Sequence, residues 1–150
     1  LCFRFEFYME KINMGGRGKW SQPTETGFTW YDYHAVYKHN DFHFLVQHDH
    51  NTGGISAPVK SQTPNVTYVT LDWDGTPKCI SVYKDRVKQY DIDLDTPHHN
   101  MLPHVHHCKE NGYRNPKEKD KDMLPTEHDK KLIKLVYGLY NKHKKEILGK

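Results

Sequence analysis

Several windows of the chain alternate apolar with polar residues, or concentrate β-branched and aromatic ones, and each predicts a strand. In residues 36–47, Phe42, Phe44 and Val46 take alternate positions, with Asp41, His43 and Leu45 between. Residues 66–72 (VTYVTLD) suit a well-buried strand. Asp72-Trp73-Asp74-Gly75 supplies turn chemistry, so residues 78–83 (KCISVY) are the returning arm of a hairpin. After a second turn at Lys84-Asp85-Arg86, residues 87–94 set Tyr90, Ile92 and Leu94 on one face and Gln89, Asp91 and Asp93 on the other. The expected core is an antiparallel sheet of about four meander strands.

A helical period appears only near the end. Pro125-Thr126-Glu127-His128-Asp129 is a helix start, with Thr126 as N-cap and acidic residues in the first turn. Leu132, Ile133, Leu135, Val136, Leu139 and Tyr140 then recur at helical spacing as one apolar stripe. Such a stripe needs a partner, and the sheet's apolar face is the candidate. The predicted class is therefore α+β, the sheet packed by this C-terminal amphipathic helix. Residues 48–58 form a Gly/Asn/Asp-rich loop. Residues 95–125, with four prolines, five histidines and a charge run over residues 117–122, form a long one, the run expected to be solvated. Phe3, Phe5 and Phe7 alternate and suggest a short strand, while Met14-Gly15-Gly16-Arg17-Gly18-Lys19 resembles a start or a linker. Residues 1–30 are expected to be accessory or flexible, and residues 31–150 a single α+β domain.

Composition narrows the classes. Across 150 residues only 35% are hydrophobic and 27% charged, and no apolar run approaches the ~20 residues of a membrane-spanning helix. No membrane partner and a cytoplasmic location are expected. Three cysteines, Cys2, Cys79 and Cys108, cannot close a disulfide framework without one left over. A net charge of +3 is too mild to imply nucleic-acid binding by itself. The unusual count is histidine, at 12. No Walker loop, dinucleotide fingerprint, G-x-S-x-G elbow or H-E-x-x-H is present.

The candidate chemistry lies at Pro103-His104-Val105-His106-His107-Cys108, with His98-His99 just before it. In extended backbone His104 and His106 project to the same side. Three readings are open. The histidines hold a long loop down; or His98, His104, His106 and Cys108 bind a metal such as zinc; or the imidazoles exchange protons with a substrate. His48 and His50 repeat the i, i+2 spacing and are read as loop decoration.

The order of segments resembles a family of mostly uncharacterised domains encoded by phages and integrative elements of Gram-positive bacteria. Some of these lie at the C-terminus of phage head-morphogenesis proteins. The resembling stretches are Met14-Gly15-Gly16-Arg17-Gly18, Phe42-His43-Phe44-Leu45-Val46, Ala57-Pro58 with Thr63, and Val69-Thr70-Leu71-Asp72 with Gly75. Lys88-Gln89-Tyr90-Asp91-Ile92-Asp93-Leu94, Pro103-His104-Val105-His106 and a charged terminal helix follow. The pattern differs at Lys60-Ser61, where an acidic residue is expected, and at Cys108, near an expected Gly-Tyr. Several such phage domains are similar to small ribonuclease toxins of the barnase, EndoU or RelE kind. The resemblance implies metal-independent RNA cleavage, with His104 and His106 as base and acid. Lys88, Arg86 or Lys60 would be the electrostatic stabiliser, and Thr63 a phosphate hydrogen-bond donor. RNA is then the implied partner. The alternatives are a phage structural or virion-associated domain, a module that binds a host protein, and the histidine-rich metal-binding domain.

Overall fold

The structure, a computed structural model, describes residues 18–23, 30–48 and 54–149. Most of the accessory segment at residues 1–30, including the Phe3-Phe5-Phe7 alternation and the glycine run, lies outside the described residues, as does His50.

The α+β class holds, but the sheet is not a four-strand antiparallel meander. Among the described residues, seven strands pair in chain order: β1 Trp20–Pro23, β2 Trp30–His39, β3 Phe42–Gln47, β4 Val66–Leu71, β5 Pro77–Lys84, β6 Val87–Asp93 and β7 His104–His107. The single window at residues 36–47 divides into two strands, because Asn40 takes φ 51° and turns the chain back. Asp85 and Arg86, at φ 51° and 71°, make the tight turn between β5 and β6. That pair of left-handed residues matches the twist of a two-residue hairpin.

β3 and β4 run parallel, so the sheet is mixed. A hairpin cannot join parallel neighbours, and the intervening loop has to cross a sheet face. Its described part is fixed by hydrogen bonds. Tyr33 Oη donates to the Ser56 carbonyl at 2.7 Å, and Tyr83 Oη donates to the Pro58 carbonyl. Gln47 accepts from the Ser56 amide at 2.9 Å and donates to the Gly54 carbonyl at 3.2 Å. Buried Ile55, Ala57 and Val59 line this crossing. Beneath it Trp20, Tyr33, Leu45, Val66, Tyr68 and Tyr83 form one of two cores. Trp20 belongs to β1, so part of the segment predicted to be accessory completes the sheet.

The other face carries the larger core. Helix α1, Glu127–Lys142, lays Val136 and Tyr140 against Phe44, Val69, Leu71, Ile80, Ile92 and Val105. Thr126 caps it through a capping box with Asp129 at N3, which satisfies two otherwise unpaired donors. Tyr140 Oη reaches the Gly75 carbonyl at 2.8 Å, tying the helix to the β4–β5 turn, where Gly75 has φ 86°. Leu135, placed in the stripe by spacing, faces outward at 51% exposure. A short helix α2, Lys144–Leu148, follows and buries Ile147 in the same core. Among the described residues no helix is long and apolar enough to cross a membrane.

The long segment after β6 is not simply loop. It contains edge strand β7 and a single 3-10 turn, Asp120–Met123, with Met123 buried. The outer edge of β7 is occupied at its C-terminal end: the Asn115 amide donates to the His107 carbonyl at 3.0 Å.

Candidate functional site: a histidine cluster on the edge strand

β7 pairs antiparallel with β6, setting His104 opposite Asp93, Val105 opposite Ile92 and His106 opposite Asp91. Val105 and Ile92 point into the helix-side core. Pleating therefore turns His104 and His106 to the other face. One strand further in, Asp93 is opposite Cys79 and Asp91 opposite Ser81, so this face is polar beside the histidines. Such alternation explains why two imidazoles can share a face with carboxylates while the residue between them is core.

His104 and His106 meet. Their Nε2 atoms are 2.8 Å apart, and the rings cross edge to face at 82°. His98 lies against both, 5.6 Å from each ring centre. Asp93 Oδ2 is 4.0 Å from His104 Nε2, and Glu118 Oε2 is 3.6 Å from His106 Nδ1. The Nδ1 atoms of both histidines are buried without a hydrogen bond. The pair is less open than an exposed loop would make it: only 3% of the His104 side chain and 12% of the His106 side chain are accessible.

Burial lowers both imidazoles below the ordinary histidine value. For His104 the Asp93 charge opposes this, while His98 and Arg114 add to it. For His106 the Arg114 and His104 charges reinforce burial, and Glu118 opposes. The dominant cause is desolvation, which penalises the charged ring. Arg114, on an exposed stretch paired with Cys108, is thus the cation whose charge both imidazoles feel.

Glu118 lies inside the charge run expected to be solvated, yet its side chain is only 5% exposed. It accepts from the His107 amide at 3.0 and 3.1 Å and bonds the His107 ring. A residue eleven positions away thereby fixes the end of β7. Nothing local in the sequence marks it, because Glu118 looks like its charged neighbours.

The other residues implied by the resemblance are spread out. Lys88 is buried and bonded to Asp91 at 2.9 Å. Burial works against its charge, but Asp91 outweighs it and holds the amine above its usual value. Asp91 in turn accepts from Ser81, so Lys88 belongs to a closed chain beside His106 and is not an available cation. Arg86 sits on the β5–β6 turn and donates to the Gln62 carbonyl at 2.6 Å. Thr63 is exposed in the crossing loop, where its carbonyl accepts from Ser61, and Lys60 pairs opposite Val87. From Arg86 to Asp91 is five strand positions, about 16 Å at ~3.3 Å each, so Arg86, Thr63 and Lys60 are remote from the imidazoles.

The metal set His98, His104, His106 and Cys108 is also redrawn. Among the described residues, the group whose ligand atoms all lie within 4.8 Å is His98, His99 and Asp120. These three could hold a metal ion. Cys108 instead bridges to Arg114, and its amide donates to the Gln89 carbonyl at 2.9 Å. A separate concavity of about 480 Å³ lies far off, lined by Asn141, Lys142, Lys144, Lys145 and Leu148 at the helix ends. Comparison of the chain with known protein families, curated proteins and solved structures finds no match.

Proposed function

We propose that the His104–His106 pair is the acid/base centre of a ribonuclease-like activity in a phage- or mobile-element-associated protein. The 2.8 Å contact between the two Nε2 atoms carries this reading. At that distance one nitrogen holds a proton and the other a lone pair. One further proton makes the donor ring an imidazolium beside a neutral imidazole, an acid and a base in one site, and because both rings are lowered this form is reached on the acid side of the ordinary histidine value. His106 is the more accessible partner, and His98, resting on both rings, has to swing aside for substrate.

The chemistry is transphosphorylation of RNA. The imidazole with the lone pair takes the 2′-hydroxyl proton as the O2′–P bond forms. The other, as its imidazolium, gives a proton to the 5′-oxygen as the P–O5′ bond breaks, leaving a 2′,3′-cyclic phosphate and the two rings with their protonation states exchanged. Arg114, exposed and bridged to Cys108 just beyond β7, takes the place of Lys88, Arg86 and Lys60 as candidate stabiliser of the charged phosphorane. The Asp93 and Glu118 carboxylates, 4.0 and 3.6 Å from the ring nitrogens, favour the charged form of either ring.

The test is cleavage of an end-labelled RNA by untagged protein in chelator, with the same sequence as DNA for comparison. Expected is a cyclic-phosphate product from RNA only, with His106→Ala at least about 10²-fold slower. RNA left intact from pH 5 to 8, with and without chelator, would falsify the proposal and favour a phage structural domain or a host-protein-binding module.

A further inference from the structure

We propose that His98, His99 and Asp120 form a binding site for one divalent transition-metal ion of the zinc, cobalt or nickel type. This does not rest on the ribonuclease reading, and it moves the metal away from the set suggested by spacing. The first argument is backbone geometry. In a strand, His98 and His99 would point to opposite faces. Here His98 and Met101 exchange backbone hydrogen bonds of 3.1 and 2.8 Å around a two-residue turn. His99 and Asn100 occupy the left-handed region at φ 47° and 65°. That turn brings adjacent imidazoles side by side, with centres 4.1 Å apart.

The second argument is the third donor. His99 Nδ1 lies 2.8 and 2.9 Å from the two carboxylate oxygens of Asp120. Asp120 opens the 3-10 turn, which buried Met123 anchors, so this carboxylate arrives on its own fixed support. One ligand atom from each residue lies within 4.8 Å of the other two. Zinc bonds nitrogen and oxygen at ~2.0–2.2 Å, so its ligands stand about 3.3 Å apart, and small rotations close the difference. The third argument is chemical. Two imidazoles and one carboxylate suit borderline metals, whereas calcium and magnesium prefer sets made of oxygen. His99 and Asp120 are 64% and 58% exposed, so an ion has open access and keeps water on its remaining positions.

A bound ion would join the β6–β7 connection to a residue 21 positions further on. The test is titration of the untagged full chain with zinc, by calorimetry, and with cobalt, by its visible spectrum. Expected is one ion per chain, and a melting temperature raised by about 5–10 °C with zinc a hundredfold above its dissociation constant. His99→Ala and Asp120→Ala, both on exposed side chains, should keep the wild-type circular dichroism and weaken binding at least tenfold. His48→Gln, whose ring stacks on His34 with centres 4.6 Å apart, should leave it unchanged. The proposal is overturned if no ion binds more tightly than 100 µM on an order-of-magnitude scale. It is equally overturned if H99A and D120A bind as wild type while His106→Gln abolishes binding, which would put the metal in the neighbouring pair.

Discussion

Replacing Glu118 by alanine probes whether the charge run is anchored or merely solvated. Its carboxylate accepts twice from the His107 amide and is 5% exposed, so the bond is charge-assisted and shielded from water. Hydrogen bonds to a charged group contribute about 1.5–3 kcal/mol. The ring contact with His107 adds little, because that side chain is 52% exposed. E118A should therefore cost about 2–3 kcal/mol, or roughly 4–12 °C in melting temperature for a chain of this size. Glu118→Gln keeps an acceptor but loses the charge, and should cost about half as much. Equilibrium urea unfolding measures both. Ring NMR of His106 adds a second readout: Glu118 is the group raising that imidazole, so E118Q should lower its titration point further. An E118A protein within about 0.5 kcal/mol of wild type, the range of ordinary surface changes, would refute the clamp.

Three further outcomes follow from the same physics. His34, His43, His104 and His106 are all lowered, burial first, so the unfolded chain binds more protons than the native one below their ordinary value. Stability should hold above pH ~6.5 and be lost as the pH falls through that point; a melting temperature higher at pH 5.5 than at 7.5 would contradict this. Lys88→Met strands Asp91 beside His106 and should cost about 3 kcal/mol in urea unfolding, while the double variant Lys88→Met/Asp91→Leu should recover much of the loss. The Cys79 thiol is pushed up to about 12 by burial, so peptide mapping after iodoacetamide at pH 8 should find Cys108 labelled before Cys79.

What could be read from the chain follows the range of the forces involved. The helix was legible because Thr126, Asp129 and the apolar stripe are local, and β4 to β6 because alternation and turn residues are local too. The parallel pairing of β3 with β4 was not, since it depends on Tyr33, Tyr83 and Gln47 gripping a loop far along the sequence. β7 is four residues long in a proline- and histidine-rich stretch, too short for a periodic pattern to stand out. The shared face of His104 and His106 was readable from their spacing, but not their depth. Arg114, Glu118 and Asp120 reach the histidines by folding back across up to 21 positions, and left-handed backbone at His99 and Asn100 has no sequence marker as clear as glycine.

The occupied outer side of β7 also bears on how copies of this protein behave in a crowded solution. A bare terminal strand invites a neighbour's backbone to add to it, and chains can then zip into fibrils. At His107 both backbone groups are already taken, the amide by Glu118 and the carbonyl by Asn115. The segment that poses the imidazoles therefore blocks strand addition at the His107 end of this edge.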